Sequence, residues 1–375
     1  MILDRDLLDR LATTIDWNDW RWQMRNSIRS VEALQNYATL DDAEVAELET
    51  AGSRFRWSVT PYVLSLIDDT DPRCPIRRQH LPSGGELAPD FGSLDPLQEG
   101  TNSPTKSVVH VYEDRVAFKV VNVCPTYCRY CFREYFVKGS DTRSSQDSIR
   151  EGLDYIASRP AIRDVLLTGG DPLMMSDERI DGILTELRAM PHVEIVRIGS
   201  RTPCTLPQRI TDGLVAMLRK HQPLWLNTHF NHPDELTPEA SRALNALADA
   251  GIPIGNQSVL LAGINDSIDV MKRLCEQLLR VRVRPYYVYQ CQTLEGTAHL
   301  RVPIERGIEI MDGLRGNTTG FGIPTYVLDT PDGKVPLSAS WFVRRDGDEV
   351  LVRTPRGRIW REHNPVGRPD PTTTT

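Results

Sequence analysis

The chain has 375 residues, of which 40% are hydrophobic and 25% charged, and its formal net charge at pH 7 is −7. This is the composition of an ordinary globular protein with a large core, and the acidic balance argues against nucleic-acid binding, for which a basic domain is expected. The sequence has no run of eighteen apolar residues and no basic-then-apolar start. It therefore predicts neither a membrane span nor a signal peptide, and we expect a cytoplasmic protein.

The first part of the chain predicts helices followed by a loop-rich connection. Apolar and aromatic residues recur at helical spacing over residues 17–34. A second helix is expected over residues 41–51, with Thr39 or Asp41 as its N-cap. Proline and glycine then crowd residues 71–104, which is typical of an ordered surface loop.

From residue 117 onward, apolar runs alternate with amphipathic segments. Six strands are predicted, at 117–123, 164–168, 194–199, 224–229, 254–261 and 283–289. A helix is predicted after each, near 146–158, 177–189, 211–220, 238–250, 267–281 and 304–315. This alternation predicts an α/β fold with a parallel sheet. The pattern alone leaves an open doubly wound sheet and a barrel both possible.

The last part of the chain is predicted to be a tail that begins at residue 318. It contains two short predicted strands, at 324–329 and 349–353. Residues 365–375 are rich in proline and threonine, so we expect them to be disordered.

Three cysteines, Cys124, Cys128 and Cys131, lie on the loop that follows the first predicted strand. Three thiolates on one short loop can hold three irons of a four-iron, four-sulfur cluster and leave the fourth iron open for a ligand. A zinc site would need a fourth ligand, which the loop does not offer, and a disulfide would leave one thiol over. The odd total of seven cysteines suits a reducing compartment. The other four cysteines are expected to be buried and inert: Cys74, Cys204, Cys275 and Cys291.

This loop resembles that of radical S-adenosylmethionine (SAM) enzymes, whose open iron binds the amino and carboxylate groups of the methionine part of SAM. Four further blocks resemble lysine 2,3-aminomutase and its relatives, at 17–22, 60–62, 191–203 and 225–233. The similarity runs from about residue 16 to about residue 340.

The resemblance implies the family's partial (β/α)6 radical SAM barrel rather than an open sheet. We assign the barrel to residues 106–317. An N-terminal helical region and connecting loop would occupy residues 1–105, and a C-terminal segment that binds pyridoxal 5′-phosphate (PLP) would occupy residues 318–375.

Cofactor residues follow from the same resemblance. Gly169, Gly170 and Asp171 come after the second predicted strand and are ordinary turn residues when taken alone. They match the family motif that contacts the methionine amino group of SAM. His229 and Gln257 match weaker SAM contacts, although a structural role is a fair alternative for His229.

The resemblance also implies PLP as a second cofactor. Lys334 falls on the lysine that forms a Schiff base with PLP, although the loop is shorter than in the lysine enzymes and a lysine beside Asp-Gly is most often a solvated turn residue. Tyr112 and Arg115 match residues around the PLP phosphate. Val111 stands where the lysine enzymes have an arginine.

The substrate pocket departs from the lysine enzymes. Arg133 matches the arginine that holds the substrate carboxylate, whereas Arg129 is expected to be a surface residue of the cysteine loop. Of the two aspartates that receive the lysine ammonium, one is kept as Asp329 and the other is replaced by Gln292, with Glu295 three residues on. One carboxylate and one amide oxygen suit a guanidinium, so arginine is slightly favoured over lysine, and a glutamate substrate would want a cation there.

The zinc-binding cysteines of the lysine enzymes are absent. Ser267 stands at one position and no cysteine follows Trp360, so no zinc is expected. The predicted partners are a free L-amino acid and an external electron donor such as flavodoxin or ferredoxin, with no nucleic acid and no membrane. We also expect a homo-oligomer.

The sequence therefore predicts a radical SAM, PLP-dependent 2,3-aminomutase, an isomerase for β-amino acid biosynthesis. It would move the amino group of a basic L-α-amino acid from C2 to C3. The alternatives are lysine 2,3-aminomutase itself, a relative that modifies a protein lysyl side chain, a radical SAM enzyme without PLP, and a non-enzymatic iron–sulfur protein.

Overall fold

The computed structural model describes residues 1–89, 92–137 and 145–363. The predicted disorder of residues 365–375 concerns a segment outside these ranges. Within them, no helix is long and apolar enough to cross a membrane.

The N-terminal region consists of short helices and a small two-stranded sheet around its own apolar core. Its elements are β1 (Ile2–Leu3), α1 (Arg5–Ala12), α2 (Trp20–Arg25), α3 (Val31–Gln35), β2 (Ala38–Thr39), α4 (Asp42–Arg54), α5 (Pro61–Ser65) and α6 (Pro75–His80).

The prediction of one helix over residues 17–34 is wrong, because two N-caps divide it. Asp19 caps α2 and Ser30 caps α3, and between them Ile28 exchanges backbone hydrogen bonds with Val59 instead of continuing a helix. The next helix, α4, begins as predicted. Asp41 is its N-cap and forms a capping box with Glu44.

The central sheet has nine strands among the described residues. They are β3 (Val108–Tyr112), β4 (Arg115–Val121), β5 (Asp164–Gly169), β6 (Ile195–Gly199), β7 (Leu224–Thr228), β8 (Ile254–Leu260), β9 (Val283–Gln290), β10 (Thr325–Thr330) and β11 (Gly333–Pro336). They lie side by side in chain order. Strands β4 to β10 are parallel, and β3 and β11 add an antiparallel strand at each edge.

Helices follow the strands of this sheet along the chain, and the longer ones share its apolar core. They are α7 (Glu134–Val137), α8 (Gln146–Ala157), α9 (Asp177–Arg188), α10 (Thr202–Thr205), α11 (Asp212–Arg219), α12 (Pro238–Asp249), α13 (Ile268–Arg280) and α14 (Ile304–Leu314). The six predicted strands are β4 to β9, and the six predicted helices are α8, α9 and α11 to α14, so the predicted partial (β/α)6 barrel is confirmed.

Successive side chains along a strand point to opposite faces of the sheet, so one set packs against the helices and the other faces the barrel interior. In β5, Val165 and Leu167 are buried in the core with the helices, whereas Asp164, Leu166 and Thr168 line an interior cavity.

Side chains bring the two edges of the sheet together. The hydroxyl of Tyr112 at the end of β3 accepts the backbone N–H of Lys334 in β11 at 2.7 Å. The side-chain amide of Asn102 donates to the carbonyl of Pro331 at 3.3 Å. The predicted strand at 324–329 is β10, so the first part of the predicted tail continues the barrel sheet and nearly closes it.

A separate antiparallel sheet follows the barrel. Its strands are β12 (Phe342–Asp346), β13 (Glu349–Arg353) and β14 (Ile359–His363).

Candidate active site

A cavity of about 680 Å³ lies inside the partial barrel. All but one of the predicted site residues line it: Tyr112, Arg115, Cys124, Cys128, Cys131, Arg133, Gly169, Gly170, Asp171, His229, Gln257, Gln292, Asp329 and Lys334. Glu295 is not in the cavity wall, and its carboxylate forms an ion pair with Arg54. Residues far apart in the sequence thus meet at one site.

The cysteine loop begins where β4 ends and packs against the N-terminal region. Its backbone N–H groups at Tyr127 and Arg129 donate to the carbonyls of Ser58 and Gln79 at 3.1 and 2.9 Å. The expectation that Arg129 is a surface residue is wrong. Its side chain is buried and bidentate on the carboxylate of Glu86, because burial of a charge requires such a partner.

The three thiols fit a cluster better than a single ion. All three are free and line the cavity. Among the described residues, no three His, Cys, Asp or Glu side chains converge to hold one metal ion. Burial raises the pKa of the Cys131 thiol to about 12, so iron must displace protons when it binds.

The glycine turn after β5 lies against the start of the cysteine loop. Gly169 has a φ of +122°, which favours glycine. A Cβ on Gly170 would lie 2.5 Å from the carbonyl oxygen of Val123. The backbone N–H of Asp171 donates to that same carbonyl at 2.8 Å. The glycines are therefore required for this close approach.

Asp171 ties this turn to the loop after β6. One carboxylate oxygen accepts the hydroxyl of Ser200 at 2.7 Å, and the other accepts the backbone N–H groups of Arg201 and Thr202 at 2.8 and 2.9 Å. Burial raises the pKa of this carboxyl group. Asp171, which is predicted to contact SAM, lies in the cavity wall and also anchors the loop after β6.

His229 follows β7 and has partners on both ring nitrogens. Nε2 lies 2.7 Å from the hydroxyl of Tyr130, and Nδ1 contacts the carbonyl of Gln257. Burial, aided by the charge of Arg201, lowers the pKa of His229 to about 3, so the ring is neutral at physiological pH.

Several buried polar atoms in the cavity wall have no protein partner among the described residues. They are Oγ1 of Thr126, Nε of Arg201, Nδ2 of Asn227 and Oγ1 of Thr228. Because buried polar groups are almost always hydrogen-bonded, these atoms fit a site whose ligand brings carboxylate, amino or hydroxyl groups, as SAM does.

Lys334 lies at the far edge of the sheet, on β11. Its ammonium nitrogen is 3.3 Å from Oδ1 of Asp329 and 5.6 Å from the ring centre of Tyr289. The Arg115 guanidinium stacks 3.6 Å from the ring centre of Tyr112, whose hydroxyl holds the Lys334 backbone. An amine, a guanidinium and aromatic rings facing one cavity fit an aromatic, anionic cofactor such as PLP.

Arg133 is held by a carboxylate that the sequence did not suggest. Its Nε and Nη2 donate to Glu99 at 2.6 to 3.1 Å, and its Nη1 donates to the Thr168 hydroxyl at 2.9 Å. Glu99 is 4% exposed and lines the cavity. It comes from the loop before β3, where no pattern in the sequence marks it.

The side-chain amide of Gln292 lies beside the backbone of Asp329. Its Nε2 donates to the backbone carbonyl of Asp329 at 3.2 Å. That hydrogen bond orients the amide and leaves the side-chain oxygen of Gln292 as an acceptor.

The chain is similar to known proteins over most of its length. Residues 118–275 match the radical SAM superfamily, and residues 311–368 match the lysine-2,3-aminomutase family. The chain is 48% identical to L-lysine 2,3-aminomutase of Clostridium subterminale, over 98% of this chain and 89% of that protein. It is 49% identical to L-lysine 2,3-aminomutase of Fusobacterium nucleatum, over 93% of this chain and 83% of that protein.

The chain belongs to the lysine 2,3-aminomutase family. It is a radical SAM isomerase, an amino acid 2,3-aminomutase that uses a four-iron, four-sulfur cluster, SAM and PLP. The family also includes the glutamate 2,3-aminomutase of Clostridioides difficile, which is 43% identical over 93% of this chain and 83% of that protein.

The wall of this aminomutase site also holds residues that were not assigned from the sequence, and Glu99 and Arg201 are two of them. Glu99 carries no signal, but Arg201 follows the end of a predicted strand, where barrel enzymes place functional side chains. Its Nη1 lies 2.7 Å from the sulfur of Cys128. A search of every strand end would have found it.

Proposed function

We propose that this aminomutase converts a free basic L-α-amino acid to its β-isomer, with L-arginine favoured over L-lysine. The observation that supports this is the pair formed by Gln292 and Asp329, which share one part of the cavity wall. The pair offers one carboxylate and one neutral acceptor.

This pair suits a guanidinium. A guanidinium has five donors in a fixed plane, so it can use a carboxylate and an amide oxygen together. The Lys334 ion pair uses Oδ1 of Asp329, which leaves Oδ2 for a substrate cation. An ammonium group would gain more from a second carboxylate than from an amide.

Arg133 is proposed to receive the substrate carboxylate. Glu99 and Thr168 fix the plane of its guanidinium before substrate arrives. Such preorganisation reduces the entropy lost on binding. The distance between Arg133 on the cysteine loop and Asp329 on β10 then selects the length of the amino acid.

We propose the following division of roles among the remaining side chains. The three cysteines hold the cluster: Cys124, Cys128 and Cys131. The SAM-binding residues are Gly169, Gly170, Asp171, His229 and Gln257. Lys334 holds PLP, with Tyr112 and Arg115 around the phosphate. When bound, the cluster and SAM supply the radical that removes hydrogen from C3, and PLP carries the nitrogen that migrates from C2.

The test is a competition assay with the reconstituted, reduced enzyme under anaerobic conditions. L-arginine, L-lysine and L-glutamate are supplied together, and each β-amino acid is quantified by mass spectrometry. An excess of β-arginine supports the proposal. An excess of β-lysine or β-glutamate contradicts the substrate assignment and leaves the family assignment intact.

We further propose that flavodoxin or ferredoxin reduces the cluster and that the chain forms a homo-oligomer. The exposed side chains of Phe342 and Trp360 on the last sheet support the second point, because exposed aromatic residues are typical of interfaces. Analytical ultracentrifugation of the loaded enzyme would contradict it by showing a monomer at micromolar concentration.

A further inference from the structure

Arg201 is a buried cation whose terminal nitrogens have no role among those assigned above. It follows β6 and precedes α10, and it is 8% exposed. Its Nη1 lies 2.7 Å from the sulfur of Cys128, one of the three cluster ligands. A guanidinium at this distance donates a charge-assisted hydrogen bond to a thiolate.

The other end of the guanidinium is fixed by two side chains. Nη2 donates to Oε1 of Gln79 and to Oε1 of Glu235, each at 2.7 Å. The second oxygen of Glu235 accepts the backbone N–H groups of Asn231 and His232 at 2.6 and 2.9 Å. Glu235 is therefore held in place and cannot turn away from Arg201.

The backbone of Arg201 is fixed as well, through its N–H group on Asp171. Gln79 in turn accepts the backbone N–H of Arg129 through its carbonyl, at 2.9 Å. The cysteine loop, the N-terminal region and the loop after β7 thus meet at the guanidinium of Arg201, and the loop after β5 holds its backbone. Such a group cannot relax when the charge of the cluster changes.

We propose that Arg201 is a positioning residue for the cluster, whose fixed hydrogen bond to the Cys128 sulfur raises the reduction potential of the cluster. Hydrogen bonds to cluster sulfurs and nearby charge both set that potential. Reduction adds one negative charge, which a rigid cation beside the sulfur stabilises. Glu235 opposes this effect by partly neutralising the cation. The proposal concerns the cluster alone and does not depend on which amino acid is the substrate.

The test is an anaerobic redox titration of the reconstituted enzyme, in which the EPR signal of the reduced cluster gives the midpoint potential. Arg201→Met removes the hydrogen bond and the charge while keeping an unbranched side chain, so we expect a more negative potential. Glu235→Gln removes the opposing charge, so we expect a more positive potential. A purely structural role would not give shifts of opposite sign.

Arg209→Met is the matched control. Arg209 is also a fully buried arginine, bonded to Asp177 at 2.6 Å and to the carbonyls of Leu173 and Met175. It has no contact with a cluster cysteine among the described residues, so the potential should stay at the wild-type value.

Two outcomes overturn the proposal. The first is an unchanged potential in a fully loaded Arg201→Met enzyme, and the second is an equal shift in Arg209→Met. If Arg201→Met does not take up iron, Glu235→Gln decides alone: a positive shift supports the proposal, and no shift or a negative shift overturns it.

Discussion

The ammonium group of Lys334 lies 3.3 Å from a carboxylate oxygen of Asp329, its direct partner across the antiparallel strands β10 and β11. The residue predicted to hold PLP thus lies beside the residue predicted to receive the side chain of the substrate. The predicted cofactor contact and the predicted substrate contact of this aminomutase therefore lie on one pair of strands, which the barrel sheet holds in register.

Replacing Lys334 with alanine should abolish amino migration. The side chain is about one-third exposed, so its loss should leave the fold intact. We expect the turnover number to fall by roughly a thousand-fold or more, because covalent attachment of PLP is lost. Product formation, iron content and SAM binding are measured side by side. Lys272→Ala, on the exposed face of α13, is the control and should behave as wild type. Near-normal turnover of Lys334→Ala would contradict the assigned role.

Gln292→Asp should shift specificity toward lysine. The substitution supplies the second carboxylate that an ammonium prefers and removes the amide oxygen beside Asp329. We expect the ratio of kcat/KM for L-lysine over L-arginine to rise roughly ten-fold, which corresponds to about 1.4 kcal/mol. Glu295→Gln is the matched control, because Glu295 pairs with Arg54 outside the cavity wall. If Glu295→Gln changes the ratio and Gln292→Asp does not, the pocket is wrongly assigned.

Gly170→Ala should displace the cysteine loop. The new methyl group would lie 2.5 Å from the backbone oxygen of Val123, which cannot move without the loop. We expect a loss of about 1–3 kcal/mol in unfolding free energy, as for other overpacked sites, and less iron bound per chain. The control is Gly182→Ala on α9, where a methyl group meets nothing within 4 Å. Equal iron content in both variants would show that the contact is not needed.

The stability of the iron-free protein should decrease below neutral pH. Burial, together with the nearby charge of Arg201, holds the pKa of His80 well below its ordinary value of 6.5. Below pH 6.5 the unfolded chain therefore binds a proton that the folded chain does not. The free energy of unfolding therefore does not depend on His80 above that pH. Below it, the free energy of unfolding decreases by up to about 1.4 kcal/mol per pH unit.

Urea unfolding at a series of pH values measures this dependence. His80→Gln removes the titrating group and should flatten the decrease between about pH 6.5 and about pH 5. His229, whose pKa is lowered to about 3, contributes in the same direction and remains in this variant. An identical slope in wild type and His80→Gln would rule out His80 as a source.

The barrel was predictable because its signals are local. Each strand from β4 to β9 is an apolar run, and each is followed by a helix with its own apolar stripe. Most of these helices also have an N-cap, as Thr237 shows for α12, where Pro238 follows at the first helical position. The segment that contains β10 and β11 was predicted to be a tail, because no further helix follows β10. Only pairing with β9 makes them part of the sheet.

The missed site contacts depend on tertiary structure. Arg133 and Glu99 are 34 residues apart, and Arg201 and Cys128 are 73 residues apart. No sequence period relates such residues, and a single charged side chain does not reveal its partner. The same reason explains the error at Arg129, whose partner Glu86 comes from the N-terminal region.

As a 2,3-aminomutase, this chain moves an amino group from C2 to C3 within one amino acid. The most direct measurement supplies L-arginine and L-lysine, each labelled with nitrogen-15 at C2 only, to the reconstituted, reduced enzyme with SAM and PLP. We predict a β-amino acid that carries the label on C3, and more of it from arginine. Accumulation of 5′-deoxyadenosine without a labelled β-amino acid from either substrate would contradict the account.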